Sequence, residues 1–347
     1  MKQDFQTKLD AFLEEYYRIN QNSGCLRITS RDEVIFRKFM GYADREAKTP
    51  FTEHSVFSLY SLSKPFCAIG LMKLKDKGLV RLDDHPGVYL PEAAHFHQDV
   101  TLRHLLTHTS GIPDFNQNTD FQTKYAGETS QQLRWQLGLL ADYGMLFQPG
   151  TQGHYTNTNF IISALIVEAV SGMNYADYMK AEVFQPLGMH STRIDSKHLV
   201  LPDRVKGYNQ VDGQIVCVER VTERVLGGAD VISTVDDIYC LNKAIKHKLL
   251  LSDQSWNDIL CPSPVNSMGL GCTISQWHGK KRITHNGGWD GYRTLHVQLP
   301  EDDFDIILLT NSSWGDARYD ISEAIYTAYY GTENGHSDAI SMDAGYL

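Results

Sequence analysis

Ser61 and Lys64 are the residues whose types and spacing most directly indicate chemistry, because a serine followed by a lysine three positions later can act as a nucleophile with its base. In a helical turn, positions i and i+3 share one face, which would place the lysine amine beside the serine hydroxyl. A helix that begins at Ser61 would also direct unpaired backbone N–H groups at the anion formed when the hydroxyl attacks a carbonyl. The competing structural interpretation is a serine that only caps the helix.

The elements around this pair follow from local patterns. Two β-rich runs between residues 24 and 42, separated by the polar residues 30–33, predict a hairpin. An apolar run from Phe66 to Leu74 predicts that the helix continues past the lysine until Gly78 can end it.

The rest of the chain shows a change from helical to strand patterns. Helical patterns dominate the middle of the chain, and strand patterns return after Asp203 before a last helix that ends at Tyr330. This order predicts an α+β fold, in which an antiparallel β-sheet flanked by helices is interrupted by a mainly helical insertion. We therefore expect a sheet region from residues 1–78 and 201–330, a helical region from residues 79–200, and a polar tail from residues 331–347.

Composition and charge narrow the choice of partners. The 347 residues carry a formal net charge of -10, which argues against nucleic acid or an anionic membrane as a partner. No window approaches the length and apolarity of a membrane span. Residues 1–17 have the pattern of an amphipathic helix rather than of a signal peptide, which favours a cytoplasmic location unless a leader was removed.

Metal and cofactor sites are not indicated. The six cysteines are widely spaced and form no C-x-x-C pair, so we expect reduced thiols. His104 and His108 have the i, i+4 spacing of zinc-binding helices, but no glutamate lies between them as it does in that motif. We expect neither a metal nor a cofactor.

Two further short motifs follow the first, in the order S-x-x-K, Y-x-N and H-x-G. The set resembles the family of serine hydrolases that includes class C β-lactamases, D-alanyl-D-alanine carboxypeptidases and penicillin-binding-protein-like esterases. The resemblance implies a cleft with Y-x-N on a helical wall, H-x-G on a strand of the opposite wall, and the S-x-x-K helix between them. The motifs are Ser61 to Lys64, Tyr155 to Asn157, and His285 to Gly288.

The resemblance also implies catalytic roles. Ser61 would be the nucleophile, and either Lys64 or Tyr155 the base. An amine or a phenol can serve as a base at neutral pH only when its surroundings lower its pKa, and the sequence leaves the choice between the two open. Asn157 would hydrogen-bond both Lys64 and a substrate amide.

The third motif would bind the substrate. Gly287 and Gly288 would leave room for a substrate along the strand edge, and the N–H groups of Gly288 and Ser61 would form the oxyanion hole. His285 would border the cleft and contact a substrate carboxylate or the leaving group.

The sequence departs from class C β-lactamases at His285, where those enzymes have the lysine of K-T-G and thus a fixed charge for a carboxylate. Asp230 likewise occupies a position where an apolar residue is expected. We therefore expect a serine hydrolase that acts on a small ester or a D-amino-acid peptide, with weak β-lactam turnover. The alternatives are a true class C-like β-lactamase and a penicillin-binding-like protein that is acylated without turnover. An α/β-hydrolase is not indicated, because no serine has glycine both two residues before and two residues after it.

Overall fold

The computed structural model describes residues 2–115, 129–196, 198–218 and 225–331. Its main element is a six-stranded antiparallel sheet, in which the last four strands of the chain pair with the first two. The fold is the predicted α+β arrangement. The strand order across the sheet is β10-β11-β12-β13-β1-β2, with β1 Gly24–Ser30, β2 Glu33–Met40, β10 Thr273–Trp277, β11 Lys280–Trp289, β12 Tyr292–Leu299 and β13 Phe304–Thr310.

The predicted hairpin near the N-terminus is confirmed as β1 and β2. Its two turn residues, Arg31 and Asp32, have φ values of 51° and 63°. Two consecutive residues in the left-handed region give a tight turn whose twist matches that of the flanking strands. Every residue of β1 is buried, because helices cover both faces of the sheet.

Helices α1 (Lys2–Asn20) and α9 (Ala317–Tyr330) pack together on the outer face of the sheet. The apolar side chains of these two helices form one core with the strand residues that face outward. The helix residues Leu9, Leu13 and Ile325 belong to this core, and each is at most 1% exposed. Burial of such side chains contributes about 1.5–3 kcal/mol each to folding. This layer covers the side of the sheet opposite the Ser61 turn.

The inner face of the sheet packs on α7 (Val235–Lys246), which contacts β1 and β13 and shares one apolar core with α2 (Lys64–Asp76) and helices from the middle of the chain. Residues between 79 and 200 that the structure describes contain α3 Leu102–Leu106, α4 Ser130–Leu139, α5 Thr158–Ser171, α6 Tyr175–Met179 and the short strand β6 Arg193–Ile194. Helix α5 packs on α2 and ends at Gly172, whose φ of 69° is typical of a C-terminal cap. The predicted tail lies outside the described residues, except for Gly331.

A small three-stranded sheet leads the chain to Ser61. Strand β5 (Phe57–Ser58) pairs with β9 (Val231–Ser233), and β9 pairs on its other side with β6. Past β5, the Leu59 N–H donates to the Val231 carbonyl at 2.9 Å. This pairing determines where the chain enters the next turn. The remaining elements are β3 Tyr42–Asp44, β4 Thr49–Pro50, β7 Tyr208–Val211, β8 Gln214–Cys217, α7 Val235–Lys246 and α8 Asp253–Ile259.

Within the described ranges, no single helix is long and apolar enough to cross a membrane. Thr158–Ser171 and Tyr175–Phe184 pass the length and composition criteria only as a pair, and they are bent by 83°.

Candidate active site

Ser61 lies in a 3₁₀ turn, Tyr60–Ser63, that leads directly into α2 at Lys64. The expected helix thus begins as a 3₁₀ turn at Tyr60, and its α-helical part begins at Lys64. A 3₁₀ turn has three residues per turn, so residues i and i+3 eclipse each other more closely than in an α-helix. Lys64 Nζ consequently lies 3.1 Å from Ser61 Oγ.

The residue before the nucleophile has an unusual backbone conformation. Tyr60 has a φ of 49°, in the left-handed region that non-glycine residues rarely adopt. The Ser63 hydroxyl accepts a hydrogen bond of 2.9 Å from the Val231 N–H, which ties the turn to β9. Surrounding contacts of this kind hold a strained residue in place, and such residues are concentrated at active sites.

Lys64 is fully buried, yet its amine has three oxygen neighbours. Besides Ser61 Oγ, these are Asn157 Oδ1 and the Gly228 carbonyl oxygen, each at 2.9 Å. Burial lowers the pKa of Lys64 to about 7, although the carboxylates of Asp114 and Asp230 raise it in part. A substantial fraction of the amine is therefore neutral at neutral pH.

Tyr155 contacts the nucleophile from the helical side. Its hydroxyl donates to Ser61 Oγ at 2.7 Å, and Lys64 Nζ lies 4.6 Å from the centre of its ring. Ser61 Oγ is thus between the amine and the phenol. The structure brings together all three residues for which the sequence predicted catalytic roles.

Asn157 lies immediately before α5 and holds the lysine. Its side-chain oxygen accepts from Lys64, as expected, and its backbone N–H donates to Asp114 Oδ2 at 3.1 Å. Asp114 and Gly228 are two site residues that the sequence analysis missed. The Gly227-Gly228 pair was a signal for Gly228, whereas a single aspartate after a proline carries little information.

Strand β11 contacts the Ser61 turn from the sheet side. The last residue of β11 that pairs with β10 is Thr284, opposite Thr273, whereas the pairing of β11 with β12 continues to Trp289. In the described chain, the part of β11 that carries His285, Gly287 and Gly288 therefore has a strand partner on one side only. An unpaired strand edge offers N–H and C=O groups to a ligand.

Gly287 meets a steric constraint besides the room for a substrate that the sequence predicted. A Cβ at this position would overlap the Leu59 carbonyl oxygen, so the glycine lets β11 lie directly against the turn that carries the nucleophile. The Thr294 hydroxyl on β12 also donates to this carbonyl, at 2.9 Å. A Cβ on Gly288 would instead meet only the Arg293 side chain, 3.2 Å away at its Cδ.

His285 is 2% exposed, so its ring lies within the wall of the site rather than on an open surface. Its Nδ1 is 2.6 Å from the Asn286 backbone oxygen, and its Nε2 has no hydrogen-bond partner among the described residues. Burial and the nearby Lys64 amine lower the pKa of His285 to about 3. The imidazole is therefore neutral at physiological pH.

Asp230, which stands where an apolar residue was expected, lies behind the lysine site. The side chain is 6% exposed, and its Oδ2 accepts from the Gly227 N–H at 2.9 Å, which closes the turn that presents the Gly228 carbonyl to Lys64. Asp230 therefore supports the lysine site from behind.

Metal-ligand clusters are not present among the described residues. Helix α3 ends at Leu106, so His104 and His108 do not share a helix face. The six cysteines are free, and three of them are buried: Cys25, Cys67 and Cys272.

Comparison with known proteins supports the resemblance. The Beta-lactamase family model matches residues 9–328. The chain is 29% identical over 337 residues to penicillin-binding protein 4* of Bacillus subtilis strain 168, an alignment that covers 90% of this chain and 73% of that protein. It is 31% identical over 201 residues to esterase EstB of Burkholderia gladioli, but this alignment covers only 52% of this chain and 50% of the esterase.

Solved structures agree in fold. A penicillin binding protein from Bacillus halodurans superposes with a TM-score of 0.82 at 26% identity, over 92% of this chain and 99% of that chain. A D-amino acid amidase from Ochrobactrum anthropi SV3 has a TM-score of 0.76 at 21% identity, over 95% of this chain and 98% of that chain, and this likeness concerns the fold alone. Because the family model covers nearly the whole chain and includes all three motifs, the chain belongs to the β-lactamase family of serine hydrolases.

Proposed function

We propose that this protein hydrolyses a small ester or amide through an acyl-enzyme on Ser61. One observation carries the proposal: Ser61 Oγ lies 3.1 Å from Lys64 Nζ and 2.7 Å from the Tyr155 hydroxyl. A serine hydroxyl becomes a nucleophile when a neighbouring base takes its proton, and this geometry offers two groups within reach.

Lys64 is the base that the hydrogen bonds favour. A neutral amine has two N–H bonds and one lone pair, and the Asn157 and Gly228 oxygens accept the two N–H bonds. The lone pair is then directed at the Ser61 hydroxyl. Tyr155 donates to the same oxygen, so the phenol is in its neutral form while the amine accepts the proton.

The reaction then proceeds in two halves. The Ser61 proton moves to Lys64 as Oγ bonds to the substrate carbonyl carbon, and the carbonyl oxygen becomes an oxyanion. Collapse of this intermediate breaks the bond to the leaving alcohol or amine, which takes the proton held by Lys64, with the Tyr155 hydroxyl as the adjacent relay. Water next attacks the acyl group by the same route in reverse and frees Ser61.

The oxyanion would be stabilised at the junction of the turn and β11. The N–H of Ser61 lies in the first turn of a 3₁₀ segment, and Gly288 lies on the part of β11 that is unpaired on one side. Two backbone N–H groups directed at a developing oxyanion typically contribute several kcal/mol to transition-state stabilisation.

The uncharged side chain of His285 supports a proposal for the class of substrate. His285 is uncharged at pH 7, so a substrate carboxylate gains less there than from a lysine ammonium. We therefore propose short esters, which need no carboxylate partner, as substrates, with weak penicillin and cephalosporin turnover. Peptides ending in a D-amino acid are proposed with them on the likeness to other proteins and not on the charge of His285. The similarity in sequence to an esterase and in fold to a D-amino acid amidase agrees with this class.

A substrate panel tests the proposal. A short-chain p-nitrophenyl ester, a D-alanyl-D-alanine peptide, a D-amino-acid amide and nitrocefin are compared by kcat/KM against Ser61→Ala. Ester, amide or peptide turnover that is lost in Ser61→Ala is the expected result. Nitrocefin as the best substrate by about tenfold or more would identify a class C-like β-lactamase instead. A stable β-lactam adduct without turnover would identify a penicillin-binding-like protein.

A further inference from the structure

His108 has a backbone conformation that needs an explanation. It lies two residues beyond the end of α3, and its φ of 56° is in the left-handed region, which costs a non-glycine residue free energy. The side chain is 1% exposed. Its ring lies against Tyr155 and Phe160, with ring centres 4.3 Å and 5.2 Å away.

Three contacts connect His108 to the segment that carries Tyr155. The His108 carbonyl oxygen accepts from the His154 N–H at 2.8 Å, and its Nδ1 accepts from the Thr156 N–H at 3.2 Å. Between these two hydrogen bonds, the imidazole and phenol rings are tilted by 31° against each other. One residue therefore holds the backbone on both sides of Tyr155 as well as its ring.

The hydrogen bond to Thr156 determines the tautomer of the imidazole. An imidazole nitrogen that accepts a hydrogen bond carries no proton, so the neutral His108 ring is protonated at Nε2. Burial and the nearby amine of Lys64 hold the pKa of His108 well below its usual value. His285 and His154 add to this effect when protonated. A protonated Nδ1 would point its N–H at the N–H of Thr156 and break the contact.

We propose that His108 is a positioning residue for the reaction, because its Nδ1 acceptor and its ring together hold Tyr155 within hydrogen-bonding reach of Ser61. This inference rests on the proposed acyl-enzyme function. His154 and Thr156 flank Tyr155 in the chain, and both donate their N–H groups to His108. A displacement of about 1 Å in a catalytic group costs roughly 100-fold in rate.

Three variants separate this role from simple packing. His108→Leu places an apolar side chain at this position that has no hydrogen-bond acceptor. His108→Asn places an amide oxygen near the position of Nδ1 and tolerates a positive φ. His104→Leu is the control, because His104 lies four residues earlier, on α3, and its imidazole lies beside Gly150, where an added Cβ would be 3.0 Å from its Nε2.

The readout is phosphonylation of Ser61 by a fluorophosphonate, in which the Ser61 Oγ forms a bond to phosphorus and fluoride leaves. Intact-protein mass spectrometry at several probe concentrations separates the first-order phosphonylation constant from the dissociation constant of the probe. We expect His108→Leu to lower the phosphonylation constant by about 100-fold with little change in probe binding. His108→Asn should recover about tenfold or more of that loss, and His104→Leu should react like the wild type.

Imidazole ¹⁵N NMR provides a reading that does not depend on turnover. The expected signal for His108 at neutral pH is a neutral ring protonated at Nε2. A proton on Nδ1 would overturn the inference, as would a folded His108→Leu variant that is phosphonylated as fast as the wild type. If His108→Leu does not fold, His108→Gln replaces it in the experiment. The glutamine amide reaches the position of Nε2 and leaves no acceptor at the position of Nδ1. Equal rates for His108→Gln and His108→Asn would then overturn the inference. A wild-type protein that the fluorophosphonate does not modify at Ser61 would instead refute the proposed function itself.

Discussion

Gly287 lies so close to the Leu59 carbonyl oxygen that no side chain fits between β11 and the turn that carries the nucleophile. Leu59 is two residues before Ser61, and Gly287 is two residues after His285, so this one contact joins two of the three sequence motifs. The width of the site between strand and turn depends on it. Its neighbour Gly288 has no such constraint, since a Cβ there meets a flexible arginine side chain.

Gly287→Ala should therefore destabilise the protein and reduce its activity, whereas Gly288→Ala should have a much smaller effect on stability. Overpacking against a backbone atom costs about 1–3 kcal/mol and shifts the strand away from the turn. Urea denaturation and kcat/KM for the best ester measure the two effects. Equal stability losses in the two variants would show that the contact with Leu59 is not limiting.

Lys64 and Tyr155 should behave as one catalytic unit, because both contact the same Ser61 oxygen. Lys64→Ala and Tyr155→Phe should each lower kcat by about 100-fold or more, and the double variant should lose little beyond that. Steady-state kinetics on the four proteins make the comparison. Losses that multiply fully in the double variant would instead indicate independent roles.

Activity should fall at acid pH as Lys64 becomes protonated. The pKa of Lys64 is lowered to about 7, so the neutral amine predominates above this value and the ammonium, which cannot accept the Ser61 proton, predominates below it. A profile of kcat/KM should rise about tenfold per pH unit below pH 7 and level off above it. A profile that stays flat down to about pH 5 would contradict the assignment of Lys64 as the base.

Asp305 should make the protein less stable as the pH rises. This carboxyl on β13 is 4% exposed and accepts from Asn242 Nδ2 at 3.0 Å, and burial raises its pKa to about 7. An unfolded aspartate titrates near pH 3.9, so between about 4 and 7 the folded state binds more protons, and stability is lost as the pH rises through this window.

Asp305→Asn should remove this loss, because an amide keeps the oxygen that accepts from Asn242 and never ionises. The free energy of unfolding, measured by urea denaturation from about pH 4 to pH 8, should then vary less with pH than in the wild type. Asp212→Asn, at an exposed turn position, is the control and should keep the wild-type profile. An unchanged profile in Asp305→Asn would show that the carboxyl is not the titrating group.

Local sequence information was sufficient for much of this protein. The hairpin of β1 and β2, the helical patterns in the middle of the chain and the three motifs depend on residues that are neighbours in sequence, and their spacing carries the chemistry. The Thr234 hydroxyl, which accepts from the Asp237 N–H at 3.2 Å, likewise caps α7 through residues only three positions apart.

The tertiary structure alone decided the features that depend on contacts across long distances in sequence. The i, i+3 spacing of Ser61 and Lys64 is compatible with both an α-helix and a 3₁₀ turn. In the folded chain the turn is 3₁₀, and the Val231 N–H donates a hydrogen bond to the Ser63 hydroxyl within it. The lysine pKa depends on burial, which no single segment encodes. The i, i+4 spacing of His104 and His108 suggested a shared helix face. Because the helix ends between them and His108 adopts a positive φ, His108 instead lies against Tyr155, a partner that only the folded chain brings near.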